Sequence, residues 1–260
     1  MKKYYPVFII VFALWLFGSC DSAPDDTVTT PSDPPVASVA PALPNPNDDA
    51  STPQESQSPS VISTPVPNEE DSRAVLVAQT LVERGRSAST NYSRDAFGSA
   101  WKDVDRNGCD TRNDILARDF STVIFKAGTN ECKVVGGTWT DPYSNETYTF
   151  TEPPSGAQID HVVALKNAWE MGADMWTDEK RTEFANDPLN LVVTVASLNA
   201  QKSDSNAASW LPPFKPGRCE FIARVVAVKF KWQLFVTSAE KAAMLNILSK
   251  PECAQTSLPN

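Results

Sequence analysis

The sequence contains a single histidine, His161, among its 260 residues. A catalytic zinc ion is usually held by three protein ligands, among which histidine nitrogen and cysteine sulfur predominate. One histidine cannot provide that set without cysteines, and the four cysteines beyond residue 20 are expected in disulfides. The composition therefore disfavours a zinc enzyme and leaves open what His161 does.

The N-terminal region lacks a hydrophobic run long enough to cross a membrane. Behind two lysines, the charge-free run from Tyr4 to Phe17 has 14 residues, whereas a membrane-spanning helix needs about 20. A short apolar run after basic residues is typical of a secretion signal, and the string FGSC that ends at Cys20 resembles a bacterial lipobox. We therefore predict that residues 1–19 are a lipoprotein signal peptide and that lipid on Cys20 anchors the protein to the outer side of a bacterial membrane. The alternative is a plain signal peptide and a secreted protein.

Residues 21–70 lack lysine, arginine, glycine and aromatic residues altogether. They hold 11 of the 21 prolines and nine acidic residues. Such a segment cannot bury enough apolar surface to offset the entropy that it would lose on ordering. We therefore predict a disordered, acidic tether over residues 20–70.

Most of the acidic excess of the chain lies in this tether. The whole chain has a formal net charge of -9. Without Lys2, Lys3 and the nine acids of the tether, residues 71–260 retain 21 basic and 23 acidic residues, or about -2. A nearly neutral domain is compatible with a nucleic-acid partner that it binds modestly and in a salt-sensitive way.

Residues 71–260 are predicted to form one α+β domain. They number about 190 and include six of the seven tryptophans, which is enough to bury a core. Helical spacing and capping residues predict helices over 72–85, 110–120, 164–169, 177–187 and 196–204. Strands are predicted over 121–125, 132–135, 158–163 and 189–195, with a hairpin over 137–150 that turns at Asp141.

The C-terminal part is predicted to be a helical hairpin. Apolar residues recur at helical spacing from Phe221 to Phe235. Thr237 and Glu240 have the spacing of a capping box at the start of a second helix. Two helices joined by so short a turn lie antiparallel.

The four cysteines of this domain are an even number, which indicates disulfides in an exported protein and allows three pairings. Cys219 lies at the start of the first hairpin helix, and Cys253 lies just beyond the end of the second. An antiparallel hairpin brings both to the same end. We therefore predict the disulfide Cys219–Cys253, and with it Cys109–Cys132.

Polar residues follow His161 in an informative order. Asp160 and His161 stand at or near the end of a predicted strand, and Asn190 enters the next one. The helix after that strand carries Asn199 and, three residues on, Lys202. A lone histidine is more often structural, but this order of acid, histidine, amide and lysine over two strands and a helix suggests a catalytic site.

The strings IDHVVAL, NDPLNLVVT and LNAQKSD resemble the HNH endonuclease superfamily, whose ββα-metal unit holds one divalent cation between two strands and a helix. Together with CDTRND, DPY and WLPP in the same order, they are similar to the secreted HNH endonuclease family proteins of bacteria over residues 72–253. The resemblance implies a metal-dependent endonuclease with a ββα-metal catalytic unit inside one disulfide-bonded domain.

The resemblance also implies a role for each residue of the pattern. His161 matches the general base that takes a proton from water, and a neutral imidazole with a pKa near ~6.5 suits that role. Asp160 and Asn199 match the metal ligands. Asn190 matches the asparagine that braces the loop orienting the histidine. Lys202 is placed in the catalytic set as a phosphate contact, with a solvated helix residue as the alternative.

Phosphodiester cleavage needs a water activated by a base and a cation near the phosphate. Oxygen ligands from Asp and Asn suit Mg²⁺, which keeps several waters; Mn²⁺ and Ca²⁺ are the alternatives. Arg112 is a candidate phosphate contact, and Arg118 is a weaker one.

Two functions compete. The first is an endonuclease, acting on DNA in preference to RNA, monomeric, without an evident protein partner and in contact with a membrane only through its lipid. The second is a non-catalytic surface lipoprotein, a binding module that keeps the fold for its disulfides and core. The presence of Asp160, His161 and Asn199 together favours the endonuclease.

Overall fold

The computed structural model describes residues 73–151 and 156–259. These residues form seven α-helices and five β-strands. The helices are α1 (Arg73–Thr80), α2 (Thr111–Asp119), α3 (Leu165–Glu170), α4 (Asp178–Ala185), α5 (Ala196–Lys202), α6 (Arg218–Trp232) and α7 (Ser238–Leu248). The strands are β1 (Thr122–Phe125), β2 (Val134–Thr140), β3 (Thr147–Thr151), β4 (Ala157–His161) and β5 (Leu191–Val195). The predicted signal peptide, Cys20 and the predicted tether lie outside the described residues.

The strands form two antiparallel sheets, so the predicted α+β class is confirmed. One sheet has the order β1-β2-β3, and the other consists of β4 and β5. Short 3₁₀ helices at Arg94–Phe97, Ala173–Met175 and Pro188–Asn190 lie between the larger elements. Among the described helices, none has the length and apolar character needed to span a membrane.

The ββα unit expected from the sequence is present. β4 and β5 pair from Ala157 opposite Val195 to His161 opposite Leu191. Helix α5 begins at Ala196, directly after β5, and packs on both strands. The strand β5 is rich in β-branched residues, and both of its faces are covered. Because neither face is open to solvent, its sequence is a nearly continuous apolar run and does not alternate between apolar and polar residues.

The β4–β5 pair contributes to two apolar clusters. Ile159, Leu191 and Val193 belong to a cluster with residues of α2 and the three-stranded sheet. Val192 belongs to a larger cluster that is built mainly from α1, α3, α6 and α7. The strand pair that carries Asp160 and His161 is therefore held on both sides by packed side chains, which gives the site a rigid base.

Asp141 forms the turn of the β2–β3 hairpin, as predicted. One carboxylate oxygen accepts hydrogen bonds from the backbone N–H groups of Tyr143 and Ser144. The other accepts from the Thr194 hydroxyl and the Val195 N–H, at 2.7 Å each. Because all of these partners are donors, the buried carboxylate is satisfied by protein groups and ties the hairpin to β5.

The helical hairpin and both predicted disulfides are also present. Helices α6 and α7 pack on each other, and the disulfide Cys219–Cys253 joins the start of α6 to the segment after α7. The disulfide Cys109–Cys132 joins the segment before α2 to the segment before β2. Of the three possible pairings of the four cysteines, the predicted one is therefore confirmed.

Glu240 differs from its predicted role in a capping box. The Thr237 hydroxyl does accept the N–H of Glu240, at 3.1 Å. The Glu240 carboxylate, however, is fully buried and lies 3.0 Å from the ammonium of Lys229, which is also fully buried. A buried ammonium without a carboxylate partner is very unfavourable. The Glu240 carboxylate therefore pairs with Lys229 and does not accept the backbone N–H of Thr237, as a capping box would require.

Helix α1 ends at Thr80 and not at the predicted Gly85. After the helix, the N–H of Arg84 donates to the carbonyl of Val236, and the N–H of Val236 donates to the carbonyl of Val82. These hydrogen bonds hold the segment extended against the residues that precede α7. Tertiary pairing thus overrides a local helical pattern.

Candidate active site

The ββα unit brings three of the predicted site residues to one cavity. Asp160 and His161 end β4, and Asn199 lies in the middle of α5. All three line a cavity of about 480 Å³, here called the Asp160 cleft. A second cavity of about 150 Å³, lined by Trp101 and here called the Trp101 cavity, also borders His161.

The imidazole of His161 has a defined tautomer. Its Nε2 lies 2.8 Å from the backbone carbonyl oxygen of Ala185. Because a carbonyl oxygen can only accept, Nε2 must carry the proton, and Nδ1 keeps a lone pair. The indole of Trp101 lies nearly parallel to the imidazole, with 6.5 Å between ring centroids. The residue thus offers an unprotonated Nδ1, which a general base requires.

Burial keeps His161 neutral at physiological pH. The residue is 7% exposed. Removal from water is the main reason that its pKa falls to about 4; the charges of Arg94 and Lys202 act in the same direction, and the hydrogen bond to Ala185 opposes them. The value is lower than the ~6.5 expected from the sequence, because that value applies to a hydrated ring.

Asn190 braces the backbone that follows His161. Its side-chain oxygen accepts the N–H of Val163 at 2.8 Å, and its side-chain nitrogen donates to the carbonyl of Val163 at 3.2 Å. Its own carbonyl accepts the N–H of Val162. The buried amide therefore fixes the chain directly after the histidine, which is the contact expected of a bracing residue.

Asp160 is 4% exposed and both of its carboxylate oxygens have partners. Oδ2 accepts the hydroxyl proton of Tyr143 at 2.7 Å, and Oδ1 accepts from the ammonium of Lys202 at 3.0 Å. Burial raises the pKa of Asp160, and Lys202 and Tyr143 oppose that rise. Burial beside Asp160 raises the pKa of Tyr143 well above its usual value, so its hydroxyl remains a donor. Each carboxylate oxygen has two lone pairs, so each oxygen of Asp160 can accept one more hydrogen bond or bind a cation from the cleft.

Lys202 corrects both interpretations made from the sequence, since it lies neither at a free phosphate site nor in solvent. It is 1% exposed, and its ammonium donates to Asp160 and, at 2.7 Å, to the carbonyl oxygen of His161. Helix α5 packs on β4, so the side chains on its inner face are buried. The buried carboxylate of Asp160 needs a positively charged partner there, and Lys202 provides it. Lys202 therefore joins the Asp160 carboxylate to the backbone carbonyl of His161.

The two predicted metal ligands, Asp160 and Asn199, both line the Asp160 cleft. The amide nitrogen of Asn199 donates to the side-chain oxygen of Gln158 at 2.7 Å, which leaves the Asn199 oxygen as an acceptor. One carboxylate and one amide oxygen are the hard ligands that Mg²⁺ takes, with water and substrate phosphate completing its shell. In the described ranges, no group of three or more His, Cys, Asp or Glu side chains is arranged to hold a metal ion.

The two arginines singled out from the sequence have different surroundings. Arg118 donates to the carbonyl oxygens of Pro188 at 2.7 Å and of Leu191 at 2.6 Å, so its guanidinium ties α2 to the start of β5 and is not free for a phosphate. Arg112 lies half-buried in the first turn of α2, and burial lowers its pKa. Its contact with phosphate stays a prediction.

Tyr143 and Arg94 also border the site, and neither was predicted from the sequence. Tyr143 lies in a turn whose composition indicated only a hairpin, yet its hydroxyl reaches Asp160. Arg94 lies in a region without periodic apolar residues, and it lines both cavities beside His161. Neither position has a local signal, because both contacts depend on how distant segments pack.

Comparison with known proteins gives two matches. Residues 110–247, slightly more than half of the chain, match the family model described as GmrSD restriction endonucleases, C-terminal domain. An uncharacterized secreted protein of Arthroderma benhamiae is 35% identical over 191 residues, which cover 71% of this chain and 90% of the relative. This relative is fungal, so it gives no support to the bacterial source expected from the sequence. No solved structure matches the chain.

Proposed function

This chain belongs to the family of GmrSD restriction endonuclease C-terminal domains, and we propose that it is an exported, metal-dependent endonuclease that hydrolyses phosphodiester bonds in DNA. The family description supports nuclease activity, and the description of the fungal relative as secreted supports export. The resemblance of the Asp160, His161 and Asn199 pattern to HNH nucleases supports metal dependence, with Mg²⁺ as the cation.

One arrangement carries the proposal. The imidazole of His161, with Nδ1 unprotonated, lines the same cleft as the carboxylate of Asp160 and the amide of Asn199. Hydrolysis of a phosphodiester needs a base for the attacking water and positive charge near the phosphate oxygens. His161 as the candidate base and the side chains of Asp160 and Asn199, which would hold the cation, all line the Asp160 cleft, and this shared lining supports the proposal.

His161 acts as the general base in this proposal. The Ala185 carbonyl holds the Nε2 proton, so Nδ1 is the atom that takes a proton from water. The pKa of about 4 in the free protein makes the imidazole a weak base. A bound phosphate is an anion beside the ring, and it favours the protonated form, so substrate binding raises the basicity when it is needed. Asn190 keeps the ring in place through its hydrogen bonds to Val163.

Asp160 and Asn199 are the residues that would hold the cation, which when bound supplies the positive charge that stabilises charge on the phosphate oxygens. Both ligands are oriented by neighbours. Tyr143 and Lys202 hold the Asp160 carboxylate, and Gln158 holds the Asn199 amide. Such outer contacts tune metal affinity in most metal sites.

The purified protein tests this function directly. We expect it to nick and linearise supercoiled plasmid in the presence of Mg²⁺, to cut a structured RNA more slowly, and to leave both intact in EDTA. Failure to cut either substrate with Mg²⁺, Mn²⁺ or Ca²⁺ would refute the proposed activity.

The two asparagines are expected to affect different kinetic quantities. Asn199→Ala removes a ligand and should raise the Mg²⁺ concentration for half-maximal activity by about tenfold or more. Asn199→Asp keeps an oxygen at that position and adds charge, so it should keep or lower that concentration. Asn190→Ala loses the bonds to Val163 and should reduce the maximal rate, with the Mg²⁺ requirement nearly unchanged.

A Mg²⁺ titration of the cleavage rate for the three variants checks these expectations. The assignment is reversed if Asn190→Ala shifts the metal requirement and Asn199→Ala does not.

We further propose that lipid on Cys20 retains the protein at the outer side of a membrane. The string FGSC supports this location, and the adjoining segment without basic residues is suited to a tether. Cys20→Ser is expected to move the protein from the membrane fraction to the soluble exported fraction, measured by fractionation and immunoblotting. Membrane association that survives this change would mean that the lipid is not the anchor.

A further inference from the structure

The guanidinium of Arg94 is an exposed cation beside His161 where the two cavities meet. Arg94, His161 and Leu165 are the residues that the linings of the Asp160 cleft and the Trp101 cavity share. Leu165 is apolar and buried, and His161 is almost wholly buried. Of these three, Arg94 alone offers a charged group that a ligand can reach from solvent.

The charge of Arg94 has no described partner. Within residues 73–151 and 156–259, no hydrogen bond or ion pair involves its guanidinium. Two carboxylates that line the Asp160 cleft are already paired, Asp160 with Lys202 and Asp204 with Lys166, at 3.0 and 2.6 Å. The charge of Arg94 is nevertheless close enough to help lower the pKa of His161. Among the charged residues that line the Asp160 cleft, Arg94 is therefore the one without a described ion-pair partner.

The backbone of Arg94 is held firmly although its side chain is exposed. Arg94 is the first residue of the 3₁₀ helix Arg94–Phe97, and Phe97 at the end of this helix is buried in the core. The guanidinium of Arg181 donates to the Ala96 carbonyl at 2.8 Å. Gly98 follows with φ +78°, and a Cβ there would clash with the Thr182 hydroxyl, so the turn packs closely against α4. A side chain on so fixed a base loses less freedom when it binds a ligand.

We propose that Arg94 binds a phosphate of the nucleic-acid strand next to His161. The proposal rests on the proposed nuclease function and adds the residue that seats the strand. A guanidinium offers parallel N–H donors that match two phosphate oxygens. Lys166 is less suited because Asp204 already occupies its ammonium. Arg94 borders the proposed base directly, whereas Arg112 lines neither cavity beside His161.

Binding of a short, fluorescently labelled single-stranded oligodeoxynucleotide tests this role without relying on cleavage. The parent full-length protein carries His161→Gln so that the probe stays intact, and affinity is measured by anisotropy over a range of KCl concentrations. Arg94→Gln is expected to weaken binding about tenfold or more, the usual effect of losing a hydrogen bond to a charged group. It should also reduce the slope of log affinity against log salt by about 0.7, the value for one phosphate contact on a single strand.

Two further variants separate a phosphate contact from a change of fold. Arg94→Lys keeps the charge, so the salt slope should be retained while part of the affinity is lost with the planar donor pair. Arg106→Gln removes another exposed arginine, one that lines neither cavity beside His161, and should leave affinity and slope nearly unchanged. Thermal melting should be the same for all three.

The outcomes are distinct. If the probe binds but Arg94→Gln and Arg106→Gln give the same affinity and slope, the Arg94 proposal is overturned and the nuclease function stands. If the parent protein does not bind the probe at low salt and wild type does not cut plasmid, both proposals are overturned. A lower slope for Arg94→Gln alone supports the phosphate contact.

Discussion

His161→Gln is expected to lower the rate of plasmid cleavage by about 10²–10⁴-fold, the usual contribution of general acid–base catalysis. Glutamine is the informative replacement because its amide N–H can still donate to the Ala185 carbonyl, as Nε2 of His161 does. What it lacks is a nitrogen lone pair that can take a proton from water. The rate is measured at saturating Mg²⁺ and substrate so that binding does not limit it.

Folding must be checked in the same variant, because His161 is buried and flanked by Trp101. The expected result is a melting temperature close to that of wild type, with oligonucleotide binding retained. His161→Ala removes more contacts and should show the same loss of rate with a lower melting temperature. A folded His161→Gln protein that keeps more than about a tenth of the wild-type rate would place the base on another residue.

The ββα unit could be predicted from the sequence because its signals are local and consecutive. The β-branched run after Asn190 can only be a short strand or part of a buried helix, and the helix that follows it begins at once. The antiparallel helical hairpin is similarly local, and it fixed the pairing of Cys219 with Cys253 and, by elimination, that of Cys109 with Cys132. In both cases short connections leave few arrangements.

The surroundings of the site residues could not be predicted in the same way. Whether Lys202 points to solvent or to Asp160 depends on which face of α5 packs on β4, and spacing within so short a helix does not decide it. The hydroxyl of Tyr143 and the guanidinium of Arg94 reach the site from segments that are distant in sequence. The pKa of His161 was overestimated for the same reason, since burial is a property of the packed fold.

Lys202→Met is expected to lower the free energy of unfolding by about 3–5 kcal/mol, the usual loss when one partner of a buried ion pair is removed. Methionine has nearly the length of lysine, so little packing is lost with the charge. The Asp160 carboxylate then stays buried with the hydroxyl of Tyr143 as its remaining donor, and the His161 carbonyl loses a donor as well. Urea unfolding of the metal-free protein measures the change.

Two comparisons tie this loss to the buried charge. Lys166→Met removes a lysine whose ion pair with Asp204 is exposed to solvent. Exposed ion pairs contribute little to stability, so Lys166→Met should lower the free energy of unfolding far less than Lys202→Met does. Adding Asp160→Asn to Lys202→Met removes the unpaired carboxylate and should recover most of the lost stability, which a double-mutant cycle reports as a coupling between the two positions. If Lys202 instead contacted a phosphate, Lys202→Met would unfold like wild type and weaken oligonucleotide binding. That result would contradict the positioning role, because a buried lysine under Asp160 cannot be removed without a cost to folding.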